Sequence, residues 1–60
     1  MESHEKIVIA IDNGISALKE ISNGNKRKGL FYLDHVKDEI QGAIFLLLAE
    51  IEEDEKESKL

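Results

Sequence analysis

The sequence predicts an all-α protein: an antiparallel hairpin of two helices that completes its core by pairing with a second copy in a four-helix bundle. Three observations carry that expectation. Apolar residues recur every three or four positions through two long stretches. Between them stands a short cluster of turn-forming residues, Ser22-Asn23-Gly24-Asn25. No proline occurs anywhere in the chain, so the strongest helix breaker is absent.

The first helix is expected over about residues 4–22. Ile7, Ile11, Ile15 and Leu18, flanked by Val8 and Ile21, fall on one side of a helix, with Asp12, Asn13, Ser16, Lys19 and Glu20 opposite. The run Ile7-Val8-Ile9-Ala10-Ile11 alone would suit a strand. The spacing that continues through Leu18 and Ile21 decides for a helix. Ser3 is placed to cap it, and Glu2 and Glu5 suit the positive end of the helix dipole.

Residues 23–25 form the turn, where Asn and Gly tolerate the left-handed backbone that ends a helix and Asn25 can cap the next one. The second helix is expected over about residues 26–57. Its stripe is Leu33, Val36, Ile40, Ala43, Ile44, Leu47 and Ile51. Bases at its start oppose the dipole and make that boundary soft. A turn this short makes the helices antiparallel. The second helix then outruns the first, and residues 52–60 form an acidic tail that is expected to fray or to touch a partner.

A chain of 60 residues holds one domain, and domains this small usually need a disulfide, a metal or an oligomeric partner. With no cysteine, disulfides and thiolate metal sites are excluded, which leaves the oligomer. Two helices share a single seam, and the second helix has more apolar surface than a seam can hide. Phe31 and Phe45 lie off its main stripe, Ala49 is near them, and Leu46 lies further round. Ile9 is off the main face of the first helix. The expected partner-facing surface is therefore Phe31, Phe45, Leu46 and Ala49, with Phe45→Asp expected to weaken self-association. Ala10 and Gly14, continued by Ala17, make a small-residue ridge that suits either a close helix crossing at an interface or ordinary large–small alternation in a core. Gly42, in mid-helix, marks a place where another side chain can approach the backbone, or a tolerated cost of about 1 kcal/mol.

The net charge of −5 is unevenly placed: residues 1–49 carry seven acids against six bases, whereas residues 50–60 carry six acids against Lys56 and Lys59. Lys26, Arg27 and Lys28 stand together beside the turn, a possible anion contact. Three bases on an acidic chain make a weak footprint for nucleic acid, and Phe31 and Tyr32 are too few for a base-stacking platform. The acidic tail is expected to keep an apolar bundle in solution. No segment resembles an export signal, and the apolar runs are too short to span a bilayer. The expectation is a soluble, cytoplasmic protein that is not a membrane protein.

Chemistry has little support. His35 and Glu39 are one turn apart, with Asp34 and Asp38 nearby, but two ligands do not make a metal site, and a solvated polar face is the better reading. His4-Glu5 suits a phospho-accepting histidine only by analogy, since no nucleotide-binding domain accompanies it. No nucleophile elbow or phosphate loop is present. The expectation is a non-enzyme without cofactor or metal. In size and shape the chain resembles the small two-helix regulators and inhibitors of bacteria and their phages. That resemblance implies a homodimeric interaction module acting on a larger protein as regulator, inhibitor or adaptor. The competing expectation is a nucleic-acid accessory protein working through Lys26, Arg27 and Lys28.

Overall fold

A computed structural model describes residues 2–58, with side chains through residue 56. It is a hairpin of two α-helices, α1 (Glu2–Ser22) and α2 (Lys26–Ser58), and the described residues contain no strand. The last two residues of the acidic tail lie outside the described residues; the rest of the tail continues α2 as helix to Ser58.

Ser3 does not cap α1. The helix already includes Glu2, and the Ser3 side chain is turned inward, fully buried, with its Oγ unpaired. The dipole at this end is complemented instead by Glu2 and Glu5. At the other end the chain closes through a pair of nested hydrogen bonds. Asn25 N donates to Glu20 O at 2.8 Å, and Gly24 N donates to Ile21 O at 3.0 Å. This is a Schellman termination, with Gly24 in the left-handed region at φ 86°. The amide nitrogen of Asn25 donates to Glu20 Oε2 at 3.0 Å, a polar clasp where such turns often carry an apolar contact. Asn25 also starts α2, its carbonyl accepting from Gly29 N at 3.0 Å.

The seam takes up only part of the expected stripes: Val36 and Ala43 lie in it on α2, whereas on α1 it follows Ala10 and Ala17 rather than Ile7, Ile11, Ile15 and Leu18. Ala10 and Ala17 are only 3% and 1% exposed, and Ser3, Gly29 and Ala43 are buried with them. These positions recur every seven residues: Ser3, Ala10 and Ala17 on α1, and Gly29, Val36 and Ala43 on α2. Half-buried Lys6, Asn13 and Glu20 alternate with the first set, and Tyr32, Glu39 and Leu46 with the second. This is heptad-type packing with small residues at every second contact. Small side chains let two backbones approach closely, and with only two helices nothing but this line can be hidden. The Ala10–Gly14–Ala17 ridge thus serves the crossing within the hairpin at Ala10 and Ala17, with Gly14 at its half-buried edge.

The resulting rod measures 55 × 13 × 10 Å, too thin in two directions for an enclosed core. Its accessible surface is 4989 Å² at 6.8 kDa, whereas a compact monomer of that mass exposes about 4,000 Å².

Candidate interaction surface

Excluding the large aliphatics from the seam puts them outside. On α1, Ile7, Ile11, Ile15 and Leu18 are all exposed; on α2, so are Leu30, Leu33, Ile40, Ile44, Leu47 and Ile51. Leu18 is 68% exposed, Ile11 57% and Ile44 54%, values that belong to surface polar residues rather than to a core.

The two stripes share one side of the rod. At 100° per residue the α1 stripe is centred about 110° round from the seam, and the α2 stripe about 90° round, each in the direction of its own chain. Antiparallel right-handed helices turn in opposite senses when viewed down one axis, so both displacements lead to the same side. Contact across the seam agrees: Ile21, at the edge of the α1 stripe, lies over Gly29. The result is one broad apolar face running the length of α1 and beyond it along α2.

Of the surface expected from Phe31, Phe45, Leu46 and Ala49, the exposed Phe45 and Ala49 are neighbours one turn apart on α2, and Phe31 stands apart from them. Phe31 and Phe45 are both exposed on the opposite side of the hairpin, about 21 Å apart along the helix, with Asp38 and Gly42 between them. Phe31 packs edge-on against its own neighbours, His35 at 4.6 Å and Tyr32 at 5.8 Å between ring centroids. Leu46 turns toward α1 and lines an open cleft of about 370 Å³ with Glu2, Glu5, Lys6 and Ile9. Ala49 is exposed. Gly42 is approached by the aliphatic stem of Lys6, whose Cδ would stand 3.0 Å from an added Cβ; the visitor comes from the same chain.

The polar candidates are likewise distributed. Glu39, which the spacing pairs with His35, instead meets Lys6 across the seam at 3.5 Å. Asp34 pairs with Lys37 at 3.5 Å on the exposed side of α2. Among the described residues no three His, Asp or Glu side chains come together to hold a metal ion. His4 is exposed in the first turn of α1, and Lys26, Arg27 and Lys28 are exposed in the first turn of α2. Neither helix is long and apolar enough to cross a membrane.

What this arrangement can do is associate. Its apolar face is one-sided and preformed on helices, and large contiguous exposed apolar patches are a common feature of interaction surfaces. The sequence signal that would have located it is the seven-residue recurrence of Ser, Ala, Ala and Gly, Val, Ala, which reserves the seam for small side chains. Comparison with protein-family models, curated proteins and solved structures gives no match to this chain.

Proposed function

We propose that the protein is a small non-enzymatic interaction module that self-associates through the Ile11–Leu18–Ile40–Ile44 face into a helical bundle, and in that form acts on a larger protein as regulator, inhibitor or adaptor. The observation that carries the reading is the uncovered apolar face on a hairpin whose seam is lined by small residues. Leaving such a face in water forfeits about 25 cal/mol for each Å² of apolar area that could be buried. A second copy is the occupant that this chain always has at hand, and face-to-face stacking of two hairpins gives the four helices of a bundle. The side carrying Phe31 and Phe45 stays outside such a dimer and is the part left for a larger protein.

Sedimentation equilibrium tests the association. The parent chain is expected at twice the chain mass. Ile44→Asp, which adds a charge to the apolar face at a position exposed in the hairpin, is expected to bring it to one chain mass. Phe45→Asp, on the other side, is expected to leave the mass unchanged. A parent chain that sediments as a single folded hairpin at 100 μM concentration would overturn the reading.

A further inference from the structure

The apolar face has a direction built into it. On α2 it begins at Leu30 and ends at Ile51. One turn before its start stands Lys26, and one turn beyond its end stands Glu55, both exposed. On a helical projection both flank the same stripe, within about 20° of one another. Arg27 and Lys28 stand beside Lys26, whereas Glu55 has Glu52, Glu53 and Asp54 before it and the single base Lys56 after it, so the two ends keep opposite net charge. The face is therefore an apolar strip, edged midway by the exposed Lys37, with a net positive end at the turn and a net negative end away from it.

The two helices are also unequal. Leu46 is level with the first turns of α1, so residues 47–58 continue for about 18 Å beyond it. Leu47, Leu48 and Ile51 lie on this stretch and are exposed, while Glu50 between them is half-buried and carries the seam line one heptad further.

From these two features, and resting on the self-association proposed above, we infer that two copies pack face to face about a two-fold axis perpendicular to the helices, near Ile40, with their turns at opposite ends. α2 then runs antiparallel to α2 of the second copy. The overhang of each chain lies on the turn half of the other, where Leu47 and Ile51 meet the exposed Leu30, Leu33 and Leu18. Lys26 of each copy faces Glu55 of the other, once at each end. The alternative two-fold, with both turns at one end, gathers six bases at that end and both acidic segments at the other. Like charges brought together oppose association, and opposite charges fix its register.

The chain has no cysteine, so introduced thiols report the arrangement without background. Single variants Lys26→Cys and Glu55→Cys are mixed, oxidised and analysed by mass, alongside sedimentation equilibrium of each reduced variant. The expected result is a two-chain mass throughout and a cross-link joining position 26 to position 55. Reversing one end with Lys26→Glu is expected to raise the dimer dissociation constant about tenfold at low salt. Adding Glu55→Lys in the same chain restores it. A two-chain mass with 26–26 or 55–55 cross-links, or with none, overturns the opposed arrangement and leaves self-association standing. A single-chain mass for the parent removes the self-association reading, and this inference with it.

Discussion

The Ile21 side chain occupies the space above Gly29 in which a β-carbon would stand: both its Cγ1 and its Cδ1 lie within contact of that position, the latter at 2.9 Å. This contact closes the hairpin next to its turn. It also explains why a residue with poor helix propensity sits in the first turns of α2.

Gly29→Ala is therefore expected to destabilise despite the better helix propensity of alanine, which alone would add about 1 kcal/mol. The branch carbon of Ile21 cannot swing aside without leaving its rotamer or parting the helices, and overpacking of this kind costs about 1–3 kcal/mol. A net loss of about 1 kcal/mol should appear in urea unfolding at one fixed chain concentration. In an Ile21→Ala background the sign should reverse, and a gain of about 1 kcal/mol from Gly29→Ala would establish the contact as the cause.

Gly24 is the one described residue with positive φ. Gly24→Ala should cost about 1–2 kcal/mol, the penalty of a β-carbon in the left-handed region. Gly24→Asn should cost clearly less, because asparagine enters that region more readily. Thermal unfolding of both variants checks this; equal losses would mean that something other than backbone conformation governs the position.

Ala17 is almost completely buried in the seam, with its carbonyl oxygen 3.4 Å from the β-carbon position of Gly29. Ala17→Leu adds a hydrophobic side chain, yet it should lower stability by about 1–3 kcal/mol, because the helices must separate to admit it. If the seam were formed by the Ile7–Ile11–Leu18 stripe, Ala17 would have room and the same change would be close to neutral. Chemical denaturation of this single variant thus distinguishes the two ways of pairing the helices.

That distinction is also where the sequence was hardest to read. The two helices and the turn at Asn23-Gly24-Asn25 follow from periodicity and turn chemistry, which act over a few residues. The facing of the helices does not, because periodicity locates the largest apolar stripe without saying what covers it. Ile11 and Leu18 mark a buried-type face, and the nearest cover in the sequence is α2. In the folded hairpin α2 is met by Ala10 and Ala17 instead, and the larger side chains are left pointing outward. Phe31 and Phe45 are a related case: an aromatic residue off the main stripe marks apolar surface without saying what it adjoins, and here Asp38 and Gly42 separate the two along α2.

The ion pair between Lys6 and Glu39 gives a last test, since it crosses the seam at its polar positions. The Nζ–Oε2 distance is 3.5 Å and both side chains are partly exposed, so the pair itself contributes little. Its removal is asymmetric, however. Glu39 Oε2 is shielded from solvent and has no hydrogen bond, and without Lys6 it would have no cation across the seam. Lys6→Met should therefore lose about 1 kcal/mol. Glu39→Leu alone should cost less, because a lysine on a flexible stem can reach water. In the double variant Lys6→Met, Glu39→Leu the shielded carboxylate oxygen and its partner are both gone and the seam gains apolar contact, so its stability should equal or exceed that of the parent. A double variant less stable than Lys6→Met would show that the pair sets the register of the two helices, which apolar side chains at the same positions cannot replace.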